Sequence, residues 1–341
     1  MRILSTLSAS ICTLCVAIAP TLCSAQSSYS VTDLGTLSSG GYSLAQGINA
    51  SGMVTGATGN TSTSDVYVYS KGAMTNLGTL GGNSGIGNAI NTSGQIAGYS
   101  VNSSNSYRAF LSSGSVLVDI GDLGGGSAVA YGLNDLGQVV GSAVTTKGEN
   151  HPFLYKNGKM TDLGTLGSKN VDWWNVAQGI NKSGVIAGTS YDSAGNFFGF
   201  VWQSGKMTKM GTLGGLWSQA FAINNKGQIA GLAYTKNGLA HGFITSCATC
   251  PLKDLGTFAG STSSVWALSI NDSGTVVGRS TFGGTYHAFI YSGGKIRDLN
   301  SLIPVGSGWV LIEADGINAA GQIAGMGTHN GQERAFLLTP Q

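Results

Sequence analysis

The feature that most constrains the fold of this chain is an internal repeat. A phrase of the form Ile/Leu-Asn-x-x-Gly-x-Ile/Val-x-Gly recurs seven times, and successive copies are 42 to 47 residues apart. Its asparagines are Asn49, Asn91, Asn134, Asn181, Asn224, Asn271 and Asn318. A period of about 40–50 residues is typical of the blades of a β-propeller.

Two further phrases recur in register with the first. An aromatic-centred strand follows each copy, at Tyr67, Phe110, Phe153, Phe200, Phe243, Phe289 and Phe336. A phrase Asp-Leu-Gly-Thr-Leu, or a variant of it, begins at Asp33, Asn76, Asp119, Asp162, Lys209, Asp254 and Asp298. The Asn-x-x-Gly segment suits a type I turn that ends in a glycine with positive φ, and Asn157-Gly158 is a strong hairpin signal. Each repeat therefore predicts four short strands.

The ends of the chain decide between an open array and a ring. The chain has a solitary fourth-strand phrase at residues 29–35 and a solitary third-strand phrase at residues 334–338. Pairing the two completes a seventh blade and removes exposed sheet edges. No stretch of about 12 residues shows the apolar period of a capped helix. The sequence therefore predicts an all-β, seven-bladed β-propeller of four-stranded blades, closed by its terminal strands, in a single domain over residues 26–341.

Specific motifs also carry a family resemblance. The phrase His287-Ala288-Phe289-Ile290-Tyr291, followed by Asp298-Leu299, and the phrase Asp162-Leu163-Gly164-Thr165-Leu166-Gly167 resemble the bacterial extracellular HAF-repeat family. The similarity spans residues 29–338. It implies export and a β-propeller-like repeat fold, and it implies no catalytic residue set. The His position holds Asp65, Arg108, Phe198 and Arg334 in four units, which argues against a shared ligand role for that position.

The amino-terminal segment predicts export. Residues 1–25 contain Arg2, then an apolar stretch, and end in Cys23-Ser24-Ala25. Small residues at the −3 and −1 positions fit signal-peptide cleavage after Ala25. A lipoprotein anchored at Cys23 is disfavoured because Leu22 is large. No later stretch reaches about 18 apolar residues, so we expect no membrane span and a secreted or periplasmic protein.

Composition excludes several classes of partner. The net charge is +2, with 17 Lys+Arg against 15 Asp+Glu and no basic run, which argues against nucleic-acid binding. A hydrophobic content of 42% is enough to bury a core. The sequence has no P-loop, dinucleotide fingerprint, Gly-x-Ser-x-Gly elbow or His-Glu-x-x-His site. We therefore expect a monomer without a cofactor or a metal.

Two cysteines remain after the leader, Cys247 and Cys250. In an oxidising compartment such a pair most often closes a small disulfide across a turn. A redox motif normally opens a helix, whereas this pair lies between two strand-like segments. A zinc site is disfavoured because no second Cys or His pair has ligand spacing.

Most of the tryptophans fall in the connections from a fourth strand to the next first strand. They are Trp173, Trp174, Trp217, Trp266 and Trp309, with Tyr42 in the corresponding stretch of the first unit. Aromatic rings around a polar, weakly charged mouth suit stacking on sugar rings. These six residues are the candidate ligand-binding set. The alternative is that each ring packs between neighbouring blades.

The ionisable residues give weaker signals. His151, His241 and His287 occupy equivalent positions, where a structural role is favoured over metal binding. The Asp of the Asp-Leu-Gly phrase repeats in register, as a scaffold residue does. Glu313 and Asp315, on one strand near Trp309, are the best pair of acids, but an exposed acidic strand explains them equally well. No residue is assigned as catalytic.

We therefore predict an exported binding module that engages a glycan or a cell-surface protein through its Trp-rich face. One alternative is a carbohydrate-active enzyme, a glycosidase or polysaccharide lyase, with acids in the central channel. The other is a structural envelope protein. Converging carboxylates favour the enzyme, and surface aromatics without them favour the binding module.

Overall fold

The computed structural model describes residues 28–167, 174–258, 260 and 262–341, and these residues form an all-β structure. Within them, one short 3-10 helix, Leu299–Leu302, interrupts a succession of strands. This confirms the prediction of an all-β chain with almost no helix.

The strands are grouped in units of four, and neighbouring strands within a unit are antiparallel. The first unit contains β2 (Tyr42–Ile48), β3 (Val54–Gly59), β4 (Ser64–Ser70) and β5 (Ala73–Gly78). The second contains β6 (Gly81–Ile90), β7 (Ile96–Asn102), β8 (Tyr107–Ser113) and β9 (Val116–Asp119). The third contains β10 (Gly124–Leu133), β11 (Val139–Thr145), β12 (Asn150–Lys156) and β13 (Lys159–Asp162). The first two units are joined by one parallel bridge between Ser64 and Ser84.

The remaining units follow the same order. The fourth contains β14 (Val176–Ile180), β15 (Ile186–Tyr191), β16 (Phe197–Gln203) and β17 (Lys206–Lys209). The fifth contains β18 (Gly214–Ile223), β19 (Ile229–Thr235), β20 (Ala240–Thr245) and β21 (Leu252–Asp254). The sixth contains β22 (Val265–Ile270), β23 (Val276–Phe282), β24 (Thr285–Ser292) and β25 (Lys295–Asp298). The last contains β26 (Trp309–Ile317), β27 (Ile323–His329), β28 (Gln332–Pro340) and β1 (Tyr29–Asp33).

The last unit joins the two ends of the described chain. Strand β1 pairs antiparallel with β28, with Tyr29 opposite Pro340 and Asp33 opposite Phe336. The order in this sheet is β1-β28-β27-β26. The fourth strand of this unit therefore comes from the amino-terminal side, and the other three come from the carboxy-terminal side.

The repeated asparagine links each unit to the next. Its Oδ1 accepts hydrogen bonds from its own turn, as when Asn134 accepts from the backbone N–H groups of Leu136 and Gln138. Its Nδ2 donates to the backbone oxygen of the next repeated asparagine. The seven bonds are Asn49 to Asn91, Asn91 to Asn134, Asn134 to Asn181, Asn181 to Asn224, Asn224 to Asn271, Asn271 to Asn318 and Asn318 to Asn49, with lengths of 2.9–3.3 Å. An amide is required because it accepts and donates at once.

The core lies between neighbouring units. One cluster combines Ala230 of β19 with Val265 of β22 and Phe289 of β24. The aromatic residue of every third strand is completely buried. Its ring packs on a second-strand glycine: a Cβ on Gly141 would lie 2.8 Å from Cε1 of Phe153 and 2.0 Å from the backbone oxygen of Val129. Glycine is therefore required there for close packing.

Candidate ligand-binding site

A bulge in the first strand of every unit builds the candidate site. The pairing of each first strand with its second strand skips one residue, always three positions before the repeated asparagine. The skipped residues are Gln46, Asn88, Tyr131, Gln178, Phe221, Leu268 and Asp315. A β-bulge redirects a side chain away from the regular alternation of the strand. All seven residues line one cavity of about 500 Å³, which we call the central cavity.

The central cavity has an apolar ring at its inner end. In each unit the residue immediately before the repeated asparagine lines this cavity and also a second one of about 430 Å³. These residues are Ile48, Ile90, Leu133, Ile180, Ile223, Ile270 and Ile317. Because they border both cavities, they separate the central cavity from the second cavity, whose wall includes the seven repeated asparagines. A ligand in the central cavity therefore meets polar and aromatic walls and an aliphatic base.

Sequence reasoning singled out Asp315 as a candidate acid but missed the other six bulged residues, although a signal for them exists. Within a phrase that is nearly constant, the position three before the asparagine changes from amide to aromatic, aliphatic and acidic residues. Constant positions in a repeat serve the scaffold, whereas a position that varies in chemistry is free to serve a ligand. The bulge that turns this position into the cavity was not visible in the sequence.

Two of the predicted tryptophans line the central cavity, Trp174 and Trp266. Trp174 precedes β14, and 54% of its surface is exposed. Trp266 lies on β22 and is half-buried, with the guanidinium carbon of Arg279 5.1 Å from its ring centre. The amide side chains of Gln46, Gln178 and Gln219 line the same cavity. Flat rings and amide groups thus share one concave surface.

A row of aromatic rings leads away from the central cavity. The ring centres of Trp174 and Phe197 are 6.4 Å apart, those of Phe197 and Trp217 are 4.6 Å apart, and those of Trp217 and Tyr234 are 4.9 Å apart. We call these four residues the aromatic ladder. Phe197, Trp217 and Tyr234 are all partly exposed. Trp217 therefore belongs to the rim of the site and does not line the cavity.

The other predicted aromatic residues are placed differently. Trp309 is 9% exposed, and its ring stacks on His329 at 4.7 Å and meets the edge of Phe336 at 6.0 Å. Its ring belongs to the core between units, so Trp309 leaves the candidate site. Tyr42 is half-buried at the start of β2 and is not part of the cavity wall. Trp173 lies outside the described residues.

A cluster of charged side chains includes two residues of the central cavity wall, Arg279 and Asp315, and Glu313 behind them. Nη1 of Arg279 on β23 donates to Oε2 of Glu313 on β26 at 2.8 Å. The carboxyl group of Asp315 is within hydrogen-bond reach of that of Glu313. Burial first, and the neighbouring carboxyl of Glu313 second, raise the pKa of Asp315 well above its usual value, against the opposing charge of Arg279. We call these three residues the charged triad.

The histidines and aspartates of the repeat pair with each other. Nδ1 of His151 lies 2.8 Å from Oδ2 of Asp162, and the equivalent distances are 2.8 Å for His241 and Asp254 and 2.7 Å for His287 and Asp298. Where Phe198 replaces the histidine, Lys209 replaces the aspartate, and Nζ of Lys209 lies 3.4 Å from the centre of the Phe198 ring. In this unit the two positions change together, which supports a scaffold role. The described residues contain no group of three His, Cys, Asp or Glu that could hold a metal.

A disulfide joins Cys247 and Cys250, whose Sγ atoms are 2.12 Å apart. It closes the turn between β20 and β21, where the N–H of Cys250 donates to the backbone oxygen of Cys247 at 3.1 Å. The bridge lies in a hairpin and does not contribute to the cavity wall.

Comparison with known proteins identifies the fold. No family model matches the chain, and no curated protein matches its sequence significantly. The β-propeller domain of the Trilobed protease from Pyrococcus furiosus, described as having an open velcro topology, aligns with a TM-score of 0.55 at 11% identity, over 87% of this chain and 93% of that one. A puromycin-hydrolysing peptidase from Mycobacterium tuberculosis aligns with a TM-score of 0.56 at 10% identity, over 92% of this chain but 51% of its own. The chain therefore has a β-propeller fold.

At such low sequence identity, these structural alignments show the fold and do not show an activity. The chain spans about half the length of the peptidase. In the part of the chain that the structure describes, no helix has the length and apolar character needed to cross a bilayer.

Proposed function

We propose that this protein is an exported β-propeller binding module that holds a neutral saccharide in its central cavity and on its aromatic ladder. The observation that carries the proposal is the meeting of Trp174 and Trp266 with the bulged amide residues in one cavity. Aromatic faces stack on the C–H faces of sugar rings, and amides hydrogen-bond hydroxyl groups in both directions. The partner is therefore proposed to be a glycan of the cell surface.

We further propose that the units are the seven blades of one closed ring. Two features support this: β1 completes the sheet of β26–β28, and the asparagine bond from Asn318 returns to the first unit at Asn49. A closed ring leaves no open end to pair with other chains. Membership of the HAF-repeat family and cleavage of a signal peptide after Ala25 complete the proposal, and both rest on the sequence.

The test is a glycan array probed with the secreted protein, followed by calorimetry on the saccharides that bind. We expect Trp174→Ala to weaken binding about tenfold or more, because one stacked ring is lost from the mouth of the cavity. Leu136→Ala is the matched control, since Leu136 is 70% exposed and lies in the turn that begins at a repeated asparagine. The proposal would be contradicted if the Trp174→Ala variant bound the saccharide as tightly as the wild type. It would also be contradicted if the protein bound a cell-surface protein but no glycan.

A second candidate function is a carbohydrate-active enzyme, a glycosidase or polysaccharide lyase. The observation that favours it is an acid with a raised pKa, Asp315, beside the carboxyl of Glu313. Such a group can act as a general acid. Glycosidases, however, hold their two carboxyls about 5–10 Å apart, so that substrate or water fits between them. A hydrogen-bonded pair is closer than that, and we therefore rank binding first. Release of new reducing ends from a bound saccharide would reverse this order.

A further inference from the structure

The charged triad breaks the sevenfold repeat at one place. In the other six units, the position of Asp315 holds Gln, Asn, Tyr, Gln, Phe and Leu, and that of Glu313 holds Leu, Ile, Val, Val, Gln and Trp. The position of Arg279 holds Ala, Tyr, Ser, Thr, Leu and Met. None of these residues is charged, so five units fold without charge at any of the three positions, and the triad is shared by the remaining two neighbouring units. The triad is therefore not required by the architecture of a unit.

The backbone around the triad is also irregular. Strand β26 has the bulge at Asp315 that every first strand shares, and it has a second one at Ile312. Two bulges on one strand place Glu313 between them. Bulges are frequent next to functional sites because they direct a side chain to a point that a regular strand cannot reach.

The burial of the charged triad determines which of its two carboxyl groups holds a proton. Oδ2 of Asp315 is closed to solvent and has no hydrogen-bond donor among the described residues. The carboxyl group of Asp315 also lies beside that of Glu313. Two carboxyl groups hydrogen-bond each other when one of them holds a proton. Glu313 already accepts a hydrogen bond from Arg279, whereas burial raises the pKa of Asp315, so the shared proton lies on Asp315.

We propose that protonated Asp315 is the polar anchor of the central cavity: its proton is held by the carboxylate of Glu313, and its free carboxyl oxygen accepts a hydrogen bond from a hydroxyl group of a neutral saccharide. This rests on the proposed function and names the residue that selects the ligand. Asp315 and Arg279 are the charged-type side chains in the cavity wall. With one proton the triad has no net charge, so it matches an uncharged ligand.

Other titratable groups near Asp315 do not replace it. The hydroxyl of Tyr67 is completely buried, and this burial raises its pKa, so it stays neutral. Tyr131 lines the same cavity, and burial raises its pKa too. Glu313 and Arg279 neutralise each other. Loss of the proton from Asp315, as pH rises above the ordinary range of a carboxyl group, is thus the charge change to be tested in the cavity wall.

The experiment measures calorimetric affinity for cellohexaose, mannohexaose and N-acetylchitohexaose at about pH 5 and about pH 8. We expect the saccharide that binds the wild type to bind about tenfold or more weakly at the higher pH, because a second carboxylate then forms beside Glu313. Asp315→Asn, which keeps a donor and an acceptor, should hold the lower-pH affinity at both pH values. Asp315→Leu should lose about tenfold or more at both. Asp272→Asn, in the wall of the second cavity, is the control and should behave as wild type.

The outcomes separate the inference from the proposed function. A pH dependence that persists in Asp315→Asn, or wild-type binding by Asp315→Leu, overturns the inference and leaves saccharide binding standing. No binding of any of the three hexasaccharides by the wild type overturns both. If Asp315→Leu fails to fold, the asparagine variant decides alone. In the free protein, a ¹³C titration of the carboxyl groups that finds Asp315 fully ionised at about pH 6 also overturns it.

Discussion

At the scale of the residue, the repeated glycines and asparagines perform tasks that no other side chain can perform. The second-strand glycine lets the buried aromatic ring of the third strand lie directly on the backbone of the sheet, as Phe153 does at Gly141. The repeated asparagine satisfies its own turn and reaches the next unit with one amide. The asparagine bonds recur in all seven units, and the close approach of ring and glycine is also found at Gly188, Gly231 and Gly325, which explains why both residue types recur in the repeat phrase.

The glycine requirement gives a prediction about stability. Gly141→Ala should lower the free energy of unfolding by about 3 kcal/mol, because the new methyl group overlaps the backbone oxygen of Val129 and the ring of Phe153. Gly211→Ala is the control, since nothing lies within 4 Å of its Cβ position and no positive φ strains it. Urea titration of both variants is the measurement. Equal stability of the two would show that the sheet relaxes around the methyl group.

At the scale of the element, ion pairs connect strands to the segments that link units. Arg108 on β8 donates to Asp119 on β9 at 2.8 Å and to Asp122, in the connection to β10, at 2.5 Å. Burial alone raises the pKa of Asp122. Hydrogen bonds from Arg108 and from the backbone N–H groups of Gly124 and Gly126 outweigh it, and the pKa lies below its usual value. The ion pairs of Arg108 thereby hold the connection between the second and third units in place.

This network makes part of the stability depend on pH. A carboxyl whose pKa is lowered by folding stabilises the protein above its unfolded pKa, and this contribution disappears as pH falls through the folded pKa. Asp122→Asn should therefore cost about 1–3 kcal/mol at neutral pH, and the cost should vanish in strong acid. Urea titrations across acidic pH measure the difference. Arg108→Lys is a second variant, which keeps the positive charge and loses the forked contact. A stability cost of Asp122→Asn that does not depend on pH would contradict the account.

At the scale of the whole molecule, the terminal strands unite the ends of the described chain. Strand β1 covers the edge of β28 along five residue pairs, and Tyr29 and Val31 join the apolar cluster of the last unit. Without β1 that cluster is open to water, and β28 becomes an exposed edge.

Removal of β1 should thus affect the entire fold. A variant that begins at Thr36 should unfold at a temperature lower by about 10 °C or more, or should aggregate, because the loss is propagated through the asparagine bonds to every unit. A synthetic peptide of residues 28–35 should restore part of the unfolding temperature, and a scrambled peptide should not. Unchanged thermal unfolding without β1 would show that the last unit does not need it.

The sequence determined the all-β class, the four-stranded unit, the positions of the hairpins and the pairing of the terminal strands. It did so because each of these depends on local patterns: turn residues at fixed offsets, and one buried aromatic residue per repeat. It also singled out Trp174 and Trp266, which line one cavity, although it assigned Trp266 to a connection and the structure places this residue on β22. It assigned Trp309 to a connection, whereas the structure places this residue on β26 with its ring buried, because a connection residue and a strand residue look alike until the strand boundary is known.

The tertiary structure alone decided the composition of the site. The bulge that turns Gln46, Tyr131 and Asp315 into the central cavity exists only when the first strand pairs with the second and skips a residue. Likewise, Arg279 and Glu313 are 34 positions apart in the chain and meet because neighbouring units pack side by side. The scaffold residues recur in every repeat and can therefore be recognised in the sequence. The site residues occur once each and come together only in the assembled fold.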